Sequence, residues 1–286
     1  MSTLRTLRVL TSTAKNRPAL PDPADQVALY QAMVRLRAAD EVLAAMAARG
    51  RIQWHQSIRG REAVIAGLAH GLMHDDWLFT GAQVPDGGGL DFTCGRSLHH
   101  VGTSSPGGAR VVHAMGVGWA ARLRGDPQVS AVLFGETAAN QDHFHVALNF
   151  AGVFKTAALF VCCSDGSLVQ TSGGSIAARA VAYGMDGVRV DGTDACAVLH
   201  GIRKAAQTAR EGGGSCLIEA LVPEEGEDPI LLLRDHLQSA DLWSEEEETT
   251  LMADVADSAE EQARKATVPA AGNKPQVFEP TGAPGA

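Results

Sequence analysis

Two acidic residues follow two successive apolar strands that the sequence predicts. Glu136 comes directly after VSAVLFG, and Asp165 follows AALFVCCS in the next strand. Because ligands of open parallel sheets bind beyond the carboxyl ends of the strands, we expect both carboxylates to lie side by side at one edge. Two carboxylates and a backbone carbonyl suit Mg²⁺, which usually shares its coordination sphere with phosphate oxygens. The alternative is that both acids are solvated loop residues.

The elements that would position these acids alternate between strand and helix. Apolar strands are predicted over 129–134, 157–163, 188–190 and 215–222, and helices over 138–154, 176–183 and 194–210. This alternation predicts an α/β fold with a mainly parallel sheet and helices on both faces. Helix 138–154 would direct its N-terminus towards the site and favour an anion there. Asp194 is predicted to cap the N-terminus of its helix.

Further helices flank this unit. They are predicted over 25–49, 60–73 and 108–124 on one side and over 228–240 and 244–265 on the other. The glycine-rich stretch 79–102 shows no clear period and is predicted to be a loop. The domain prediction is a flexible N-terminal extension over 1–24, one α/β domain over 25–266 and a disordered tail over 267–286.

Composition excludes two function classes and indicates a compartment. A net charge of -9 argues against nucleic-acid binding, and no apolar run reaches the ~18–20 residues that a membrane helix needs. The five cysteines form no C-x-x-C pair, which is typical of a reducing compartment and predicts a cytoplasmic protein.

The first 17 residues hold four basic side chains and no acid, which resembles a mitochondrial transit peptide. The mitochondrial matrix is therefore the alternative location, and a short bacterial extension is the other interpretation of this segment.

The segment FGETAANQDHFHVALNFAGVFK, followed by LFVCCSDGS, resembles the cofactor motif of thiamine-diphosphate-dependent 2-oxo acid dehydrogenase alpha subunits. Other blocks resemble the family in the same order between residues 28 and 263, among them LYQAMVRLRAADEVL and DPILLLRDHLQSADLWSEEEE. The resemblance implies the thiamine-diphosphate-binding fold, with thiamine diphosphate and Mg²⁺ as cofactors. It further implies oxidative decarboxylation of a 2-oxo acid, with acyl transfer to a lipoyl carrier. The implied partners are a beta-type subunit, in a heterotetramer, and a lipoyl acyltransferase.

The resemblance also carries roles onto individual residues. Mg²⁺ ligation falls on Glu136, Asp165 and the backbone carbonyl of Ser167, and the Gly-Glu pair is similar to that of the branched-chain type. Cofactor contacts fall on Ser105, Gly107, Gly135, Glu136, Thr137, Ala138 and Asp165. His55 matches a position that faces the substrate in some members, and a packing role is the alternative for it.

Three departures from the family bear on activity. After the second helix the family has an arginine that grips the diphosphate, whereas this chain has LFTGAQVPDGG. Thr137 replaces the second glycine of the cofactor turn, where a β-branched side chain is a poor substitute. The family's loop with a catalytic histidine is missing, since LVPEEGEDPI leads straight to the C-terminal helices. The alternative function is therefore a catalytically degenerate relative, retained for assembly or regulation.

A fourth departure suggests a compensation. Some members hold K⁺ in the loop that matches SSPGGAR, through a threonine and a glutamine. This chain has Ala109 and Arg110 at those two positions. Our hypothesis is that the Arg110 guanidinium replaces the bound cation.

Overall fold

The computed structural model describes residues 6–10, 18–51, 55–81, 90–103, 107–167 and 174–265. These residues form one parallel sheet of seven strands, whose spatial order is β1-β6-β7-β5-β4-β2-β3. The strands are β1 (Thr6–Leu7), β2 (Trp77–Gly81), β3 (His99–Thr103), β4 (Ser130–Gly135), β5 (Ala158–Ser164), β6 (Asp186–Asp191) and β7 (Cys216–Leu221).

Helices cover both faces of the sheet, so the predicted α/β class is confirmed. They are α1 (Pro23–Ala48), α2 (Glu62–Gly71), α3 (Gly107–Arg124), α4 (Asp142–Phe154), α5 (Ala195–Arg210), α6 (Pro229–Ser239) and α7 (Glu245–Lys265). Two 3-10 helices lie at Glu136–Asn140 and Ala177–Tyr183. Among the described helices, none has the length and apolar character needed to cross a membrane.

Strand β5 shows how the sheet divides the core in two. Successive side chains of a strand point to opposite faces, and β5 is apolar on both. Leu159 and Val161 pack into a core shared with α1, α2 and α5 to α7, and Phe160 packs into the core with α3 and α4. A strand buried on both faces has a continuous apolar sequence, which is why β4, β5 and β7 were predictable.

Asp194 ties the start of the chain to the sheet. Its carboxylate caps α5 by accepting from the Ala197 N–H at 2.9 Å, so the predicted N-cap is confirmed. The other oxygen accepts from the N–H groups of Val9 and Leu10 at 2.6 and 2.7 Å. Residues 6–10 lie within the predicted extension 1–24, and there β1 pairs with β6 and Val9 is fully buried.

Three local predictions need correction. The stretch 79–102, predicted to be a loop, contains the end of β2 and most of β3. Strand β3 is the last strand of the sheet and has the sequence HHVGT. It forms its backbone hydrogen bonds with β2, and its own residues carry no apolar pattern that would predict a strand. The predicted helix over 138–154 is divided into a 3-10 turn and α4, which begins only at Asp142. The predicted helix over 176–183 is also a 3-10 helix.

Candidate functional site

The ends of β4 and β5 bring the two acidic segments together. The strands are parallel neighbours in a register that pairs Gly135 with Cys163. Glu136 and the Ser164-Asp165 pair therefore leave the sheet at the same edge. This edge is the carboxyl end of the strands, where open α/β sheets bind their ligands.

Glu136 faces inwards at this edge. Its side chain is buried, and one oxygen accepts hydrogen bonds from the Ser164 hydroxyl and, at 2.8 Å, from the Gly166 N–H. Gly166 has a φ of 84°, in the left-handed region that glycine adopts without strain. The turn after β5 is thus shaped to donate a backbone N–H to the carboxylate that follows β4. These bonds fix the orientation of Glu136.

Asp165 faces solvent. Its carboxylate accepts from the Ser167 N–H at 2.7 Å. Hydrogen bonds from Ser167 lower the pKa of Asp165, and the charge of Arg61 lowers it further. The group is therefore an anion at neutral pH. It leaves the same end of the sheet as Glu136, but its side chain is exposed to solvent.

A second buried acid, Glu219 on β7, lies behind these residues. It is fully buried and receives hydrogen bonds from the Ser175 hydroxyl and, at 3.1 Å, from the Ala177 N–H. Ser164 also lies 3.4 Å from it and so connects the two glutamates. A buried carboxylate needs several donors to offset its desolvation. The sequence signal was a lone acid within the apolar strand LIEALV, which our sequence analysis did not use.

The 3-10 turn after β4 forms the rim of the site. Gly135 and Thr137 are exposed, and Ala138 is buried. Arg179 stabilises the turn, because its guanidinium donates to the Ala139 carbonyl at 2.6 Å and to the Asn140 side chain at 3.1 Å. The helix N-terminus that follows β4 at this end of the sheet is therefore that of the short 3-10 helix, whereas α4 begins later, at Asp142.

His55 belongs to a buried pair. Its Nε2 lies 2.7 Å from an Asp40 oxygen, and its side chain is only 3% exposed. Asp40 also accepts from the Ser57 hydroxyl at 2.6 Å and from the Ile58 N–H at 3.0 Å, which fixes the carboxylate. Nδ1 of His55 is buried and has no hydrogen-bond partner within the described residues. A carboxylate that holds one ring nitrogen and leaves the other available is a common arrangement for a positioned imidazole.

The His55 segment lies at the same edge of the sheet as Glu136. A Cβ added at Gly60 would lie 3.8 Å from Val222, which directly follows β7. Asp40 was missed by our sequence analysis, because its position within the amphipathic helix α1 carries no motif.

Arg110, in the first turn of α3, lies against the end of β2. Its Nη1 would be only 2.6 Å from a Cβ at Gly81, so the absence of a side chain there leaves room for the guanidinium in this position. Burial lowers the pKa of Arg110, and its Nε is buried without a partner in the described part of the chain. A cation in the first turn of a helix is also opposed by the helix dipole. The guanidinium therefore lies in an unfavourable position unless an anion is close.

The remaining candidates are less informative. Ser105 lies outside the described residues, Gly107 begins α3, and Ser167 is exposed. No group of three or more His, Cys, Asp or Glu side chains among the described residues is arranged to hold a metal. Cys163 is an unsuitable nucleophile, because burial raises the pKa of its thiol to about 11.

Comparison with known proteins identifies this architecture. The family described as Dehydrogenase E1 component matches residues 79–222, from β2 to the residue after β7. The 3-methyl-2-oxobutanoate dehydrogenase subunit alpha of Mycobacterium tuberculosis is 31% identical over 277 residues, covering 79% of this chain and 74% of that protein. The 2-oxoisovalerate dehydrogenase subunit alpha of Bacillus subtilis is 28% identical, with 81% and 87% covered. The pyruvate dehydrogenase E1 component subunit alpha of Staphylococcus aureus is 27% identical, with 83% and 77% covered.

The chain belongs to the dehydrogenase E1 component family, as an alpha subunit of a thiamine-diphosphate-dependent 2-oxo acid dehydrogenase. The resemblance inferred from the sequence motifs is thereby confirmed. Alpha subunits of this family generally pair with a beta subunit and serve a lipoyl acyltransferase.

Proposed function

We propose that this chain binds the Mg²⁺-diphosphate end of thiamine diphosphate at the carboxyl ends of β4 and β5. One observation carries the proposal: Glu136 and Asp165 leave adjacent parallel strands whose register pairs Gly135 with Cys163. Mg²⁺ prefers six oxygen ligands and is usually held by one or two carboxylates together with phosphate oxygens. Glu136, Asp165 and the Ser167 carbonyl are oxygen donors of this kind, and we assign the metal to them.

The hydrogen bonds around Glu136 support this assignment. The Ser164 hydroxyl and the Gly166 N–H both donate to it, so its side chain is already oriented before any metal binds. Ligands that are oriented in advance lose less entropy on metal binding. We assign contacts with the diphosphate to the rim residues Gly135, Thr137 and Ala138, and to Ser105 and Gly107 at the start of α3.

When bound, thiamine diphosphate would supply the carbanion that attacks the ketone and the electron sink for loss of CO₂. We assign the alpha-chain side of a 2-oxo acid pocket to the loop of His55. The support for this assignment is that the Asp40 carboxylate holds the ring by Nε2, and that Nδ1 has no hydrogen-bond partner within the described residues. The acyl group would pass to the lipoyl group of an acyltransferase, and a beta-type subunit would complete the active site.

A second candidate function is a catalytically degenerate subunit that serves assembly or regulation. The observation that favours it is the short connection between β7 and α6, residues 222–228, which contains no histidine. The nearest histidine along the chain, His236, lies on α6 and is 3.0 Å from Gln26 on α1. Such a subunit would bind cofactor without supporting turnover.

Co-expression with a beta-type subunit separates the two functions. The purified complex would be titrated with thiamine diphosphate by calorimetry, with Mg²⁺ and then with EDTA. We expect binding that requires Mg²⁺, followed by reduction of an artificial electron acceptor when a branched-chain 2-oxo acid is added. Mg²⁺-dependent binding without decarboxylation would support the degenerate subunit. No cofactor binding under either condition would contradict both.

We also propose that Arg110 occupies the place of a structural K⁺. The melting temperature of the wild-type chain should then be the same in K⁺ and Na⁺. The double variant Ala109→Thr, Arg110→Gln restores neutral oxygen ligands, and we expect K⁺ to stabilise it by roughly 3–6 °C over Na⁺. A wild-type protein that K⁺ stabilises over Na⁺ would contradict the proposal.

A further inference from the structure

A cavity opens at the end of the sheet opposite to Glu136. It has a volume of about 950 Å³ and lies between the end of α2, one face of α5 and residues 19–21. Met73 and His74 in its wall precede β2, and Arg210 ends α5 ahead of β7. The cavity therefore faces the amino ends of the strands, and the carboxylate site lies at their carboxyl ends.

Cations dominate the wall of this basic cavity. Its lining includes four basic side chains and three imidazoles but no described Asp or Glu: Arg96, Arg203, Lys204, Arg210, His70, His74 and His200. Two of these cations are neutralised from outside the wall, because Arg203 pairs with Asp25 at 2.6 Å and Arg210 pairs with Asp76. Arg96 and Lys204 form no ion pair with any described residue. The charge of Arg96 lowers the pKa of Asp25 from a distance, so two cations without a direct ion pair to a described residue line one concave surface.

Two buried polar atoms in the wall have no hydrogen-bond partner within the described residues. They are Nε2 of His70 and Nη1 of Arg210. Burial, and after it the charge of Arg96, lower the pKa of His70, so its ring is neutral and able to donate one hydrogen bond. Buried donors in native proteins are almost always satisfied. Both atoms are shielded from solvent and lie in the wall of the cavity, and an anion in the cavity would offset the charges of Arg96 and Lys204.

We propose that the basic cavity binds a phosphorylated small molecule of nucleotide size. Guanidinium groups match phosphate oxygens in geometry and charge, and the volume lies near the upper end of the ~300–1,000 Å³ typical of small-molecule sites. Leu20 in the same wall is 37% exposed and offers apolar surface to the organic part of the ligand. Arg210 is the last residue of α5, so attraction to the negative end of the helix dipole is a sufficient reason for a cation at that position. Arg96 lies in a loop, so the helix dipole gives no reason for its position in the wall.

Calorimetric titration of the full chain with ADP tests the proposal. The buffer contains EDTA, so that a site that depends on Mg²⁺ at Glu136 makes no contribution. We expect ADP to bind, with adenosine and inorganic phosphate at least roughly tenfold weaker, because each supplies only part of the ligand. Lys204→Gln and Arg96→Gln should each weaken ADP binding by roughly tenfold, since each removes a charge-assisted contact.

The matched control is Lys155→Gln, which removes an exposed lysine from the loop before β5, away from the basic cavity. It should bind ADP as the wild type does. Equal ADP affinity in the wild type and in Lys204→Gln would overturn the proposal. So would the absence of ADP binding to a wild-type chain that melts cooperatively. Phosphate that binds as tightly as ADP would overturn the assignment of a nucleotide-sized ligand.

Discussion

Replacing Glu136 by glutamine is expected to weaken Mg²⁺-dependent binding of thiamine diphosphate by at least roughly 100-fold. The amide oxygen of glutamine can still accept from Ser164 and Gly166, so the turn after β5 should keep its shape. Only the negative charge that a divalent cation requires is lost. Calorimetry on the complex with the beta-type subunit measures the affinity, and a melting curve checks the fold.

This variant separates metal ligation from a structural role. If Glu136 serves only to hold Ser164 and Gly166, the glutamine variant will bind the cofactor like the wild type. That result would remove Glu136 from the proposed ligands. Glu41→Gln is the matched control, because Glu41 is exposed on α1 and its replacement removes the same charge from another surface. The control should change neither affinity nor melting temperature.

Replacing Arg37 by methionine is expected to destabilise the chain by about 3–5 kcal/mol. Arg37 joins three helices, because it donates to Glu62 on α2 at 2.6 Å and to Asp228, the N-cap of α6, at 2.6 Å. Glu62 is fully buried, and its second oxygen has no hydrogen-bond partner in the described residues. Methionine would leave this carboxylate uncompensated in an apolar core. Urea unfolding followed by circular dichroism measures the loss.

Two comparisons isolate the buried charge as the cause. Arg35→Met removes an exposed arginine two positions earlier on α1 and should change stability by less than about 0.5 kcal/mol. The double variant Arg37→Met, Glu62→Leu removes both members of this pair and should recover much of the loss, because the fully buried Glu62 charge is gone and Asp228 is partly exposed. A double variant that is less stable than Arg37→Met alone would contradict this account.

Lowering the pH should reduce the difference in unfolding free energy between the wild type and Arg37→Met. Burial raises the pKa of Asp228, but the hydrogen bonds from Arg37 and from the Ile230 N–H, together with the charge of Arg37, outweigh it, so the net pKa lies below the ordinary 3.8. A lowered folded-state pKa means that this stabilisation is present above pH 3.8 and is lost as the pH falls through the folded value. Unfolding measured at several acidic pH values would test this.

The sequence was most informative where a strand is buried on both faces. Strands β4, β5 and β7 consist of continuous apolar runs, and the parallel sheet they imply brings Glu136 and the segment after β5 to one edge. Strand β3 was missed, because an edge strand with the sequence HHVGT gains its hydrogen bonds from β2 and needs no apolar pattern. The cofactor motif identified the family from the same short segments.

The sequence alone determined the alternation of strands and helices from β4 onwards, the acidic pair at Glu136 and Asp165, and membership of the E1 family, because these depend on local pattern and motif. Only the tertiary structure decided which way each carboxylate turns. Glu136 is buried on Ser164 and Gly166, whereas Asp165 faces solvent. The partners of a buried charge come from distant segments, as Arg37 does for Glu62, and their approach is set by packing of the whole domain. The Glu136 and Asp165 pair is thus a prediction of sequence, and its orientation is a property of the fold.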